Sequence, residues 1–212
     1  MLHVVSTGFS APTRERCLLS VEAQVVNFQY QHHYVEASTQ VPPRDVITNM
    51  ASVIIGLPAD AIVVLLDGDD WLVDDCALVT VNEMHAAGAW VTWGSFEFSD
   101  GRPGFAADVD RTRPIRTQPW VTTHLKTIRA GLFHRLTDED LRWPAGLAVP
   151  WDMLIMFAAI EMAGYDRCTY CPKVLSAYHF PSSYEFQHGA GAERVAEALI
   201  RSRAAYGRVE EL

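Results

Sequence analysis

The chain has 212 residues, 49% hydrophobic and 20% charged, enough for one sizeable core and ordinary for a globular protein. Its 17 basic and 26 acidic residues give a net charge of −9, a field that repels nucleic acid at long range unless a local basic cleft overcomes it. No stretch reaches the roughly 18 to 20 apolar residues of a membrane span. The amino terminus, from Met1 to Gly8, carries no basic segment or apolar signal region, so a cytoplasmic protein without a membrane span is expected.

The first half alternates strands and helices. An apolar strand over 2–6 leads through a loop into a helix over 14–26, with Cys17, Leu18, Val21 and Val25 at helical spacing. A second strand runs over 29–38. Pro42 and Pro43 then break the chain before a helix over 44–57, stopped by Gly56 and Pro58. A third strand over 61–66 ends in an acidic turn, and a helix over 73–87 follows, ended by Gly88. Such alternation predicts a Rossmann-like, mostly parallel sheet with crossover helices.

The second half is less regular. A strand over 89–98 closes on a turn at Ser99-Asp100-Gly101-Arg102. Residues 100–119 carry Arg102, Arg111, Arg113 and Arg116 among prolines and glycines, with no hydrophobic period. They read as a surface loop, either a mobile lid over donor or acceptor or a plain solvated excursion. A short strand and helix fall in 127–136, a buried helix over 151–163, a strand over 173–179 and an exposed helix over 193–206. No repeat or linker divides the chain, so a single domain over 1–212 is expected. Cys168 and Cys171 form a Cys-x-x-Cys, but Cys17 and Cys76 do not supply a second zinc-binding pair, and the motif runs into Pro172 and a strand; buried, reduced thiols are expected.

The most informative stretch is Leu65-Leu66-Asp67-Gly68-Asp69-Asp70-Trp71, where a β-branched apolar run stops at three carboxylates. A buried parallel strand opens at its carboxyl end into the crevice where α/β sheets bind ligands. Carboxylates crowded there repel one another unless a cation sits between them, and a divalent metal meets that need. An acidic turn capping the next helix is the alternative.

With Val4-Val5-Ser6-Thr7-Gly8, Val35-Glu36-Ala37-Ser38, Trp151-Asp152 and Thr123-His124-Leu125-Lys126-Thr127, this turn resembles the ordered landmarks of family-2-type glycosyltransferases of the A fold, in a small single-domain subgroup. The resemblance covers residues 2 to about 185. It implies a single-domain glycosyltransferase-A fold, α/β with an antiparallel extension. It also implies an inverting, metal-dependent hexosyltransferase that uses a nucleoside diphosphate sugar, by default a UDP-sugar. Ser6, Thr7 and Gly8 would then line the nucleotide pocket with Gly68, and Glu36 would contact uracil or ribose. Asp67 and Asp69, the Asp-x-Asp motif, would hold Mn²⁺ or Mg²⁺, with His179 as a third ligand or diphosphate contact and Asp70 left to cap a helix. Asp152 would be the general base that takes the acceptor's proton.

Each role has a plainer counterpart: a strand-to-helix turn at Thr7-Gly8, a solvated charge at Glu36, a helix-terminal charge at Asp152, and a packed ring at His179. The family's usual Asp-Asp-Gly-Ser after the second strand is Glu36-Ala37-Ser38-Thr39 here, and Gly8-Phe9 stands where Asn or Tyr is frequent, so base recognition is expected to use backbone and the Phe9 ring. His124, Lys126 and Arg129 form a cationic cluster suited to phosphate or acceptor, or to plain solvation. Trp90, Trp93, Trp120, Trp143 and Trp151 offer faces for sugar rings or bases. The acceptor could be a glycan, a lipid-linked sugar, a protein or a modified base in nucleic acid. Two other classes compete: a nucleotide-sugar-binding module without turnover, and a nucleotidyltransferase. The latter is disfavoured because residues 6–13 hold one glycine and no basic residue.

Overall fold

A computed structural model of the protein describes residues 1–8, 13–36, 44–143, 147, 149–182, 191 and 193–212. The expectations for Phe9, for Ala37-Ser38-Thr39 and for Pro42-Pro43 lie outside the described residues. The first half folds as its alternation predicts: β1 (Leu2–Gly8), α1 (Arg14–Glu22), β2 (Tyr30–Glu36), α2 (Arg44–Ile54) and β3 (Ile62–Asp67). β1 pairs in parallel with both β2 and β3, so Gly8, Glu36 and Asp67 finish at the same end of the sheet.

Then come β4 (Trp71–Leu72), α3 (Ala77–Ala86), β5 (Val91–Phe98), β6 (Lys126–Arg129), α4 (Ala130–Phe133), α5 (Asp138–Leu141), α6 (Trp151–Ala163), β7 (Cys168–Tyr178) and α7 (Arg194–Ser202). The seven strands form one sheet in the order β2-β1-β3-β6-β5-β7-β4. β6 is antiparallel to both its neighbours and β4 is antiparallel to β7; the other pairs are parallel.

Alternation along the strands splits the core in two. Val5, Val63 and Leu65 face α2 and α6, whose apolar side chains form the larger cluster. Val4, Val64 and Leu66 face α1 and α3 through Cys17, Val21, Leu78 and Val81. Helix α6 matches the expected bounds and is buried along most of its length, which explains its all-round apolar sequence.

Four expectations need correction. The helix placed over 73–87 begins only at Ala77, because Trp71 and Leu72 are taken by pairing with β7. β7 starts at Cys168, five residues earlier than expected, and Cys168 and Cys171 lie within it as buried free thiols. α7 is not wholly exposed, since Ala196 and Ile200 are buried against the larger core.

The fourth concerns 100–119. That segment is irregular but pinned: Val109 and Ile115 join the core. Arg116 donates from Nε and Nη2 to Glu161 at 2.7 and 2.9 Å. Gln118 bonds to the backbone of Asp110 and Arg113. Among the described residues no helix is long and apolar enough to cross a membrane.

Candidate active site

The site forms where β1, β3, β6 and β7 bring their ends together. Leu65 on β3 is paired with Lys126 on antiparallel β6. Two residues further along β3 is Asp67, and two residues before Lys126 is His124. The register therefore sets Asp67, His124 and Lys126 against one another, although 59 positions separate Asp67 from Lys126 in sequence. The β4–β7 register does the same for Asp70: Trp71 pairs with Ala177, so Asp70 falls beside the end of β7. The N–H of His179 donates to Asp70 Oδ1 at 2.8 Å.

Gly68 makes the turn possible. A Cβ there would stand 2.9 Å from the Thr7 carbonyl oxygen and 2.7 Å from Tyr34 Oη, inside any tolerable contact. Its N–H donates to that same Thr7 carbonyl at 2.9 Å, so the acidic turn is drawn down onto the end of β1.

One oxygen each of Asp67 and Asp70 and one ring nitrogen of His124 lie within 4.8 Å of one another. His124 Nε2 is 3.6 Å from Asp67 Oδ2 and 3.4 Å from Asp70 Oδ2. Asp70 is fully buried, and among the described residues its Oδ2 has no hydrogen-bond partner. An orphaned carboxylate oxygen in that setting is costly unless something positive completes it. Thr123 Oγ1 lies 2.8 Å from His124 Nδ1. With the hydroxyl accepting from Nδ1–H, Nε2 turns its lone pair toward the carboxylates. Two carboxylates and an imidazole suit Mn²⁺, and with fewer nitrogens Mg²⁺. The residues present thus fit a divalent cation.

Lys126, buried with no exposed surface, is the local counter-charge. Its Nζ is 3.4 Å from Asp67 Oδ2, 3.7 Å from Asp152 Oδ2 and 4.6 Å from the centre of the Trp151 ring. Burial alone would raise the Asp67 pKa, but Lys126 and then His124 hold it below the usual carboxylate range. Burial, followed by the charges of Asp69 and Asp67, pushes Asp70 well above that range. Burial would also strip the proton from Lys126, yet Asp67, Asp152 and Asp70 keep its pKa raised. His124 goes down through burial and the neighbouring ammonium.

Asp152, at the start of α6, takes its neighbour's N–H (Met153) on Oδ1 at 2.8 Å. It lines a cavity of about 510 Å³ together with Thr123 and His124, walled by Phe98, Phe105 and Tyr178. Among the five tryptophans named from sequence only Trp120 lines it. Trp93 and Trp143 are buried, and the Trp90 ring carries Arg167 at 4.0 Å.

The other expected residues divide. Thr7 lies beside Asp67 in the register and its Oγ1 accepts from Asn49 Nδ2 at 3.0 Å. Gly8 meets Gly68 closely. Ser6 turns to the opposite face, where its Oγ lies 3.0 Å from His32 Nε2. Glu36 is exposed at the end of β2 and paired with Arg14. Asp69 is half-buried and contributes its charge to Asp70, but the close group contains Asp70 in its place. His179 enters through its backbone, with its ring 6.4 Å from that of Trp71. Asp70 is no helix cap, because α3 begins at Ala77 with Cys76 in the N-cap position. Of the cationic cluster read from sequence, His124 and Lys126 reach the acids, whereas Arg129 bonds to the backbone of Asp60 and His85 at the other end of β6. The alternate-residue spacing of His124 and Lys126 was the available signal; their partners were not.

No protein-family model matches this chain, and no curated protein matches it in sequence. Solved structures do match in shape. TarS 1-349 of S. aureus in complex with UDP-GlcNAc gives a TM-score of 0.64 at 14% identity, over 94% of this chain and 65% of that one. TarS 1-349 without a named ligand gives 0.59 at 15% identity, over 85% and 60%. The mannosyltransferase PcManGT from Pyrobaculum calidifontis, in complex with GDP-Man and Mn2+, gives 0.52 at 14% identity, over 97% and 65%. The fold is glycosyltransferase-A. The chain spans 60 to 65% of the length of these structures. The open end of the sheet carries Gly8, Asp67 and His124, and the aromatic cavity at Asp152 lies next to it.

Proposed function

We propose that this protein is an inverting, metal-dependent glycosyltransferase of family-2 type, moving a hexosyl group from a nucleoside diphosphate sugar to an acceptor hydroxyl. The observation that carries this reading is the joining of Asp67, Asp70 and His124 to Asp152 through one buried ammonium, at the open end of a glycosyltransferase-A sheet. UDP-sugar is the default donor, and the solved neighbours with UDP-GlcNAc and with GDP-Man support a nucleotide-sugar site.

In this reading Thr7, Gly8 and Glu36 border the nucleotide. Asp67, Asp70 and His124 would hold Mn²⁺ or Mg²⁺, with Asp69 adjacent. When bound, the cation supplies Lewis-acid neutralisation of the departing diphosphate. Asp152 accepts the acceptor's hydroxyl proton on the cavity side, opposite the leaving group. Phe98, Phe105 and Tyr178 give the acceptor side flat apolar faces, which favour a sugar ring or another planar group. The cavity lining also carries charge of both signs, Arg102 and Arg194 with Asp152, Glu193 and Glu197.

The test is a screen of UDP- and GDP-sugars with and without Mn²⁺, following released nucleoside diphosphate, alongside calorimetry of UDP. Release and binding that both require the metal are expected. Equal UDP affinity in its presence and absence would remove the metal from the reading.

A further inference from the structure

We propose that the Lys126 ammonium is a separator that holds Asp152 away from the metal-binding carboxylates and so keeps one acid of the site in reserve as the base. This rests on the function proposed above and concerns a residue that reading leaves without a task. Lys126 Nζ lies between the two halves of the site, 3.4 Å from Asp67 Oδ2 and 3.7 Å from Asp152 Oδ2, with no solvent exposure. Both contacts are longer than a tight charge-assisted hydrogen bond. The lysine is therefore shared between the two acids.

The physical need is plain. A hard divalent cation takes oxygen ligands and keeps water positions that a neighbouring carboxylate can fill. Asp152 Oδ2 shares the Lys126 ammonium with Asp67 Oδ2, and a cation centred on Asp67, Asp70 and His124 would draw it in as a further ligand. A carboxylate bound to the cation is a weaker proton acceptor and no longer faces the acceptor cavity. Lys126 counters this by offering Asp152 Oδ2 a permanent positive partner of its own. Asp152 Oδ1 is meanwhile tethered by the Met153 N–H. The Trp151 ring at 4.6 Å closes the remaining side of the ammonium. A compact point charge on a stem supplied by β6 suits this place, where a planar guanidinium would pair bidentately with one acid alone.

A separator and a structural pin make opposite predictions. Losing a pin weakens fold, metal binding and transfer together. Losing a separator lets Asp152 join the cation, so metal affinity rises while transfer falls. Mn²⁺ binding to the protein without nucleotide, read from the loss of the free-ion paramagnetic resonance signal, distinguishes them. Lys126→Met and Lys126→Gln are expected to bind Mn²⁺ about tenfold more tightly than wild type, the scale of one further carboxylate ligand. Asp152→Asn alone should leave Mn²⁺ affinity within about twofold, since Lys126 already keeps that acid out of the coordination shell. Combining Asp152→Asn with Lys126→Met should erase the gain. Transfer by the lysine variants should drop in kcat with donor KM near wild type.

Unchanged or weaker Mn²⁺ binding in both lysine variants overturns the proposal, as does failure of both to fold. A gain that survives in the double variant overturns it too, since Lys126 would then act only by repulsion. If wild type itself binds no Mn²⁺, the metal reading of the function falls first, an outcome distinct from these.

Discussion

Two clusters of buried charge lie about one helix apart in this molecule, and they are built differently. Arg116 and Glu161 form a saturated pair: two hydrogen bonds of 2.7 and 2.9 Å join them, the Tyr206 N–H donates to Glu161 Oε2 at 3.0 Å, and Arg116 Nη1 donates to the Ile200 carbonyl. At Asp67, Asp70, His124, Lys126 and Asp152 the opposing charges stand 3.4 to 3.7 Å apart, and one oxygen of Asp70 has no hydrogen-bond partner among the described residues. The first cluster ties the 100–119 segment to α6 and leaves no valence for a ligand. The second keeps its capacity open. Under the proposed function, a bound cation completes the electrostatics of this second cluster.

The largest effect expected from breaking this contrast is at Asp152. Asp152→Asn should lower transfer by about 10² to 10⁴, the usual contribution of a general base, with donor affinity near wild type. Steady-state kinetics with calorimetry of UDP plus Mn²⁺ measures both. A variant that keeps more than about a tenth of the rate would assign proton removal to another group.

The saturated pair should answer in stability alone. Arg116→Met leaves Glu161 as an uncompensated buried acid, a change that typically costs about 3 to 5 kcal/mol. Urea unfolding should show that loss, hydrogen exchange across 105–119 should quicken, and Mn²⁺ affinity of the folded protein should hold. Exchange as slow as wild type would mean that Val109 and Ile115 fix the segment without the ion pair.

This segment also shows what sequence can and cannot convey. Residues 61–67 were legible because a contiguous apolar run and its terminal acids report both burial and the open end of a strand, and α6 because every position but Asp152 and Glu161 is apolar enough to be inside. Val109, Ile115, Arg116 and Gln118 are buried at no regular spacing, so periodicity described them as loose. Asp67 was found from its neighbours, whereas its meeting with His124 and Lys126 depends on antiparallel register between strands far apart in sequence. Asp70 was misplaced for a related reason: a two-residue strand, Trp71–Leu72, turns it inward, and two residues carry no period.

Comparing Asp69→Asn with Asp70→Asn sharpens the contrast on that point. The acidic motif as a string favours Asp69 as the metal ligand, and the geometry favours Asp70. Loss of a ligand should weaken Mn²⁺ binding at least about tenfold for Asp70→Asn, and less for Asp69→Asn. Because Asp70 is buried with an orphaned oxygen, the same substitution should leave the melting temperature unchanged or higher. A larger loss of Mn²⁺ affinity in Asp69→Asn would restore the string reading.

The smallest effect concerns a third kind of buried polar group, one kept neutral. His85 lies behind β6, with Nε2 2.7 Å from Thr127 Oγ1, which is itself 2.6 Å from Thr92 Oγ1. Burial, with Arg129 nearby, lowers its pKa to about 3, and burial lowers His32 to about 4. An unfolded imidazole titrates near 6.5, so between these values the unfolded chain binds protons that the folded one refuses. Stability is therefore complete above pH 6.5 and falls as the pH drops toward 3, with His85 alone accounting for about 1 kcal/mol at pH 5.5. His85→Gln keeps a donor toward Thr127 and removes the titration. Urea midpoints at pH 7.5 and 5.5 should then differ less than in wild type, and an undiminished difference would move the acid sensitivity to His32 or to the His3–His33 pair, whose rings lie 5.3 Å apart.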